Sequence, residues 1–276
     1  MTSKADRIKE LTEILNRASK AYYMQDTEIM SNYEYDALYD ELVQLEKETG
    51  ITLSNSPTIH VGYEVVSELP KEEHEYPMLS LDKTKDVQTL SDWLGDQMGV
   101  LSWKMDGLTI VLTYDNGELV KAVTRGNGYV GEVITNNAKV FKNVPHRIAF
   151  KGKLTLRGEA VIKYSDFNAL NNQIEDSEAK YKNPRNLCSG SVRQLNNAVT
   201  AERNVFFFAF TLVVAEGEDF HNSRMQQFEW LRSQGFDVVE HHPVTAETIE
   251  EEVCRHMYSN LQKELQRMIF HQMDLY

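Results

Sequence analysis

The stretch Thr109-Ile110-Val111-Leu112-Thr113-Tyr114-Asp115-Asn116-Gly117-Glu118-Leu119-Val120-Lys121-Ala122-Val123-Thr124-Arg125 reads as a β-hairpin. Two runs of β-forming residues flank Asp115-Asn116-Gly117, and Asn-Gly tolerates the positive φ angles that a tight turn requires. Further strands are predicted over Leu154–Lys163 and Val205–Val214. Helices are predicted around 86–98 (Val87, Leu90, Leu94), 165–175 (Phe167, Leu170, Ile174), 222–234 ending at Gly235, and 246–266. Helices interleaved with strands on a hairpin-rich sheet predict an α+β domain rather than a doubly wound parallel one.

Upstream of this region the periodicity changes. Ile8, Leu11, Leu15, Ala18 and Tyr22 recur at helical spacing, and Tyr35, Leu38, Leu42 and Leu45 form a second stripe. Ser31-Asn32-Tyr33-Glu34 has the capping-box pattern, and Gly50 fits a helix stop. From Ile51 to Pro77 the periodicity is lost, with Ser54-Asn55-Ser56-Pro57 and Pro70 marking loop. The expected division is therefore a small all-α domain over 1–66 and an α+β domain over 67–276.

The chain has 276 residues, 41% hydrophobic and 26% charged, which is globular composition with enough apolar mass for a core. Its net charge of −13 argues against a basic footprint covering the whole molecule, but leaves room for a local basic groove. The two cysteines, Cys188 and Cys254, form neither a disulfide framework nor a metal-ligand spacing, as expected in a reducing cytoplasm. The N-terminal residues lack the apolar core of a signal peptide, and the longest apolar run, Val205 to Ala215, is too short to span a bilayer. A cytoplasmic monomer with no membrane partner is expected.

Four segments carry chemistry. Lys104 in Trp103-Lys104-Met105-Asp106-Gly107 follows an apolar strand start. A lone Lys-x-Asp-Gly is ordinarily a solvated lysine entering a turn. Free lysine, with a pKa near ~10.4, becomes a nucleophile when desolvation and cationic neighbours favour its neutral form. Arg125, Lys182 and Arg185 are candidate neighbours; Asp106 would orient the turn, and Gly107 would let the backbone approach a ribose. Thr124-Arg125-Gly126-Asn127-Gly128-Tyr129-Val130-Gly131-Glu132 is a glycine-rich turn able to wrap a nucleotide, without the helix and acidic strand end of a dinucleotide fingerprint. Leu156-Arg157-Gly158-Glu159 ends a strand in a carboxylate that would accept from a ribose hydroxyl or bind a divalent cation; a surface glutamate is the plainer reading. Asn183-Pro184-Arg185-Asn186 and Gly190-Ser191-Val192-Arg193-Gln194, with Lys180, Lys182 and Arg203, form a basic patch. It suits phosphate binding, with a charged solvated loop as the alternative.

Together and in this order, these segments resemble bacterial NAD⁺-dependent DNA ligase from about residue 5 to residue 240. Met78-Leu79-Ser80-Leu81 is similar to the family's loop beside the adenosine. The resemblance implies an ATP-grasp-like nucleotidyltransferase (adenylation) domain with antiparallel sheets, behind a helical domain that grips the nicotinamide mononucleotide half of NAD⁺. It implies Lys104 as the nucleophile, with Asp106, Arg185 and Arg193 as catalytic partners. Tyr22, Tyr35 and Asp36 become nicotinamide-side contacts, and Asp26 also matches the helical pattern; Ser80, Leu81, Ser102, Arg125 and Glu159 line the adenosine side. Aromatic core packing is the plainer reading of Tyr35. NAD⁺ and Mg²⁺ are the implied cofactors, and nicked double-stranded DNA the partner of the full-length enzyme, bound weakly by this chain.

The sequence departs from the family in several places. Ser102 stands where the family has a glutamate that reads the adenine amino group; Tyr23 replaces a histidine and Asn32 an aspartate; Asn127 and Val133 replace aspartates. These changes bear on cofactor recognition more than on the fold. The last residues, Arg267 to Tyr276, lack the family's next segment, although permissible codons read one frame over give an Asp-Gly segment close to it. An out-of-frame read of a longer ligase gene is one reading of the tail, and a designed truncation or a naturally short gene with an idiosyncratic tail is the other; the chain alone is expected to seal nicks poorly. The competing readings are a degenerate, non-catalytic NAD⁺-binding module and an ATP-dependent nucleotidyltransferase, the latter disfavoured by Tyr22, Tyr35 and Asp36.

Overall fold

A computed structural model describes residues 4–25, 27–53, 56–58, 69–79, 82, 84–174 and 180–254. The chain opens with α1 (Lys4–Gln25) and α2 (Asn32–Thr49), followed by β1 (Lys71–Glu73), α3 (Val87–Leu94) and β2 (Gly99–Ser102). Then come β3 (Leu108–Asp115), β4 (Glu118–Thr124), β5 (Val130–Glu132), α4 (Thr135–Ala138) and β6 (Leu154–Val161). The described part ends with α5 (Tyr164–Asn172), α6 (Pro184–Val192), α7 (Asn197–Glu202), β7 (Phe206–Ala215), α8 (Arg224–Ser233) and β8 (His241–Val244). Two compact units emerge from the contacts. One holds the described residues within 1–80, 105–218 and 231–238, the other those within 81–104, 219–230 and 239–276.

In the first unit, α1 and α2 pack through Ile8, Leu11, Leu15 and Leu42, with Tyr35, Leu38 and Leu45 against them, as the two stripes predict. Each buried leucine contributes roughly 1.5–3 kcal/mol relative to an exposed one. Arg7 adds a bidentate grip on Glu41 at 2.8 and 2.9 Å, which lowers the carboxylate's pKa. The capping box is formed: the Glu34 N–H donates to Ser31 Oγ and the Ser31 N–H to Glu34 Oε2. Gly50 closes α2 in the left-handed region at φ 68°.

The main sheet has the order β4-β3-β6-β7 and is antiparallel throughout. Its first hairpin turns at Asn116 (φ 49°) and Gly117 (φ 82°), the two positive angles that the Asn-Gly signal predicts. Ile110, Leu112 and Tyr114 point into the core beside Leu154, Leu156 and Phe207. The opposite parity carries Thr109, Val111 and Thr113, paired with Glu159, Arg157 and Thr155. That alternation sends the polar residues of β6 to one face of the sheet.

The second unit has its own small core of Leu94, Val244 and Ile249, flanked by Val87, Leu90 and Leu101. There β2 pairs with β8, Ser102 opposite His241, and Asp86 caps α3 by accepting from the N–H groups of Gln88 and Thr89. Residues 249–254 are helical; the rest of the helix expected up to 266 lies outside the described residues, as do the 66/67 boundary and the tail from 267.

The loop alternative for the segment from Asn183 is overturned: the segment is a helix that buries Asn186, Leu187, Cys188, Ser191 and Val192. Asn183 caps it through the Asn186 N–H and Pro184 occupies the first turn, a start signal eclipsed by the charge of its neighbours.

Ser31→Ala is expected to cost about 1 kcal/mol of stability. Circular dichroism should show a lower unfolding midpoint; an unchanged midpoint would mean the cap contributes nothing.

Candidate active site

Glu159 anchors the turn that follows Lys104. It is 8% exposed, and its Oε1 accepts from the Gly107 N–H at 3.1 Å while Oε2 accepts from Thr109 Oγ1 at 2.8 Å. The Thr109 carbonyl in turn accepts from the Arg125 N–H at 2.9 Å. Only glycine fits at 107, because a Cβ there would sit 2.0 Å from the Ala160 carbonyl oxygen. Glu159 is therefore a buried acceptor rather than the surface strand-end glutamate of the plainer reading. Behind it Cys188 Sγ donates to the Ala160 carbonyl at 3.2 Å, and full burial raises its thiol pKa.

The start of α6 meets both the lysine turn and the helical segment. Arg185 Nη1 donates to Asp106 Oδ1 at 2.7 Å, and its guanidinium lies 4.4 Å from the centre of the Tyr22 ring. Burial pulls Arg185 down to about 10, so it remains charged at neutral pH. Beside it Lys182 Nζ donates to the Glu28 carbonyl at 3.2 Å and Asn183 Nδ2 to Glu28 Oε2 at 3.3 Å.

The other arginines also hold internal partners. Arg193 Nε donates to Glu132 Oε2 at 2.8 Å, with Glu132 only 1% exposed, and its Nη1 reaches Ser189 Oγ at 2.8 Å. Arg203 Nη1 reaches Ser191 Oγ at 3.2 Å. Arg125 Nε donates to the Met78 carbonyl at 3.3 Å, and Arg157 Nη2 to those of Tyr76 and Pro77 at 2.8 and 3.0 Å. These bonds fasten residues 76–78 to the sheet. The glycine-rich turn joins in: the Met78 N–H donates to the Gly128 carbonyl, and a Cβ on Gly126 would lie 1.9 Å from the Val130 carbonyl oxygen. His74 Nε2 lies 3.1 Å from the Arg125 carbonyl, and burial lowers its pKa.

The first unit thus brings together Tyr22, Asp106 and Arg185, and separately Glu159 with Gly107 and Thr109. Tyr35 packs in the helical pair, its hydroxyl 2.8 Å from Ser19 Oγ and its ring stacked on Tyr39, while Asp36 is exposed. Ser102 and Lys104 belong to the second unit and are exposed, Ser102 ending β2 and Lys104 two residues beyond it, where the Trp103 N–H donates to the Glu240 carbonyl at 3.0 Å. Asp26, Ser80 and Leu81 lie outside the described residues. Sequence reasoning gave Glu132, Glu28 and His74 no role. A glutamate preceded by glycine at a strand end was the available signal for Glu132; nothing in the local sequence marks the other two.

A helical pair ahead of an antiparallel sheet is consistent with a nucleotidyltransferase-type fold. Residues 66–274 match the NAD-dependent DNA ligase adenylation domain, and residues 1–62 match the DNA ligase-like, N-terminal NAD⁺-binding domain. The chain belongs to the NAD-dependent DNA ligase family. It is 67% identical over 253 residues to a DNA ligase of Ruminiclostridium cellulolyticum, covering 92% of this chain and 38% of that protein. It is 66% identical over 251 residues to a DNA ligase of Lachnoclostridium phytofermentans, covering 91% and 38%, and 40% identical over 244 residues to one of Alkaliphilus oremlandii, covering 84% and 36%. The chain therefore spans well under half the length of these curated relatives. Among the described residues no helix is long and apolar enough to cross a membrane.

Removing Arg193 strands a buried carboxylate. Arg193→Gln is expected to cost about 3 kcal/mol in urea unfolding, with Glu132→Gln in the same chain recovering much of the loss. Additive costs in the double variant would refute the pairing.

Proposed function

We propose that this chain performs the cofactor-consuming step of an NAD⁺-dependent DNA ligase. Lys104 Nζ, once deprotonated, attacks the adenylyl phosphorus of NAD⁺. A P–N bond forms, the P–O bond to nicotinamide mononucleotide breaks, and that mononucleotide leaves with the bonding electrons. The resulting lysyl-AMP is the donor from which a longer protein passes AMP to a DNA 5′-phosphate at a nick in the cytoplasm. The observation that carries this reading is the intact Lys104-Met105-Asp106-Gly107 turn within a chain matching the family's adenylation and NAD⁺-binding domains.

Each side chain has a role that its surroundings support. Glu159, a buried acceptor beside Gly107, faces the ribose hydroxyls, and Gly107 lets that ribose come close. By the family resemblance, Arg125 would contact the ribose or phosphate, and Ser80, Leu81 and Ser102 the adenosine. Asp106 holds Arg185 through their hydrogen bond, and Arg185 and Arg193 supply positive charge for the transferring phosphoryl group. Tyr22, Tyr35 and Asp36 take the nicotinamide half. Among the described residues no cluster of three acidic, histidine or cysteine side chains forms a metal cage. Mg²⁺ would neutralise charge on the pyrophosphate of NAD⁺.

The second reading, a cofactor-binding module without catalysis, draws on Ser102, whose short side chain replaces the family's carboxylate. One experiment separates the readings. Protein is incubated with NAD⁺ or ATP labelled in the adenylyl group and Mg²⁺, then denatured. Label from NAD⁺ that is lost in Lys104→Ala is the expected result. Label from ATP alone would move the chain to the ATP-dependent class. No label, with a thermal shift on adding NAD⁺, would establish the module instead.

A further inference from the structure

Tyr22 presents a ring face already occupied by a cation. The Arg185 guanidinium lies 4.4 Å from the ring centre, and its Nη1 is bonded to Asp106 Oδ1 at 2.7 Å. The surroundings hold this arrangement in place: Lys182 and Asn183, immediately before Arg185 and Pro184, donate to the carbonyl and carboxylate of Glu28, a few residues beyond Tyr22. A tyrosine face is the negative side of an aromatic quadrupole and favours one flat cation stacked upon it. A guanidinium is such a cation. The oxidised nicotinamide ring, a planar pyridinium, is another, and the two would compete for one face.

We propose that Arg185 is a resident cation on the Tyr22 ring, displaced when the oxidised nicotinamide ring binds. The proposal rests on the assignment of Tyr22 to the nicotinamide half and adds a competitor to it. Affinity for the pyridinium is then set by an exchange of one cation for another. Asp106 can keep the guanidinium during that exchange, because the bond is made by a terminal nitrogen and the Asp106 side chain is 58% exposed. Arg185 can therefore swing away from the ring without losing its carboxylate. It acts as a positioning residue toward both the ring face and the turn two residues past Lys104.

The test uses nicotinamide mononucleotide in its oxidised, cationic form and its reduced, neutral form. Each is titrated into the wild-type protein and into Arg185→Gln, Arg185→Lys, Tyr22→Phe and Tyr22→Leu, with binding read by saturation-transfer NMR. Arg185→Gln keeps a planar polar group but removes the charge. It is expected to bind the oxidised form about three- to tenfold more tightly than wild type, with the reduced form within roughly twofold. Tyr22→Phe, which keeps the ring, is expected to match wild type, and Tyr22→Leu to bind the oxidised form more weakly. Damage to packing would weaken both forms together, so the ratio of oxidised to reduced binding isolates the charge exchange. If Arg185→Gln binds the oxidised form no better than wild type while Tyr22→Leu binds it worse, the resident-cation proposal falls and the nicotinamide assignment survives. If Tyr22→Leu binds both forms like wild type, the assignment falls and takes the proposal with it. Should Arg185→Gln fail to fold, Arg185→Lys decides. Its compact ammonium stacks less well than a guanidinium, so an unchanged ratio there overturns the proposal and a raised ratio supports it.

Discussion

The carboxylate of Glu159 is the contact on which the candidate site depends. One oxygen holds the backbone of Gly107 and the other the hydroxyl of Thr109, so a strand-end side chain fixes the start of the neighbouring strand and the turn before it. Hydrogen bonds to a charged acceptor are stronger than neutral ones, and burial at 8% exposure limits competition from water. The sheet register makes the contact possible. Thr109 lies opposite Glu159 in the β3–β6 ladder, and Gly107 continues along the same edge with its backbone against Ala160. A slip of one residue would send Glu159 to the apolar face and release the turn.

The second organising feature is the use of arginines. An acidic chain with a cluster of basic residues invites the idea of an open anion-binding surface. Yet Arg185, Arg193 and Arg203 all hold side chains of the same unit, and Arg125 and Arg157 hold backbone carbonyls of residues 76–78. Such a network holds guanidinium groups through internal partners rather than leaving them as solvated charges. Within a chain of net charge −13, the acids Asp106 and Glu132 are among the groups that hold these arginines.

Most of the fold was legible because its signals are local. The Ser31–Glu34 box, the Asn116-Gly117 turn and the stripes through Leu11 and Leu42 each act within a few residues, and each appears in the structure. The helix beginning at Asn183 has an equally local cap and proline, but the charges of Lys182 and Arg185 fit a solvated loop as well as a helix start. The short strands β1, β5 and β8 were illegible for a different reason: three or four residues each, they exist through distant partners. The site was legible as a set of motifs rather than as contacts. That Arg185 sits on Tyr22, or that Arg193 neutralises Glu132, is set by tertiary packing across more than sixty residues and leaves no mark in either segment alone.

The departures from the family pattern sort by the same physics. Asn127 accepts from the N–H groups of Tyr129 and Val130 through its side-chain oxygen, which an aspartate would do equally well in that turn. The acceptor is kept and only a negative charge is lost, beside Arg125. Val133 contributes chiefly backbone, its N–H donating to the Pro70 carbonyl and its strand bridging Val123, so a β-branched residue suits the position. Ser102 is different. It ends β2 exposed, and a hydroxyl on one carbon cannot reach where a glutamate carboxylate would. Asn127 and Val133 thus preserve what the structure asks of their positions, whereas Ser102 does not.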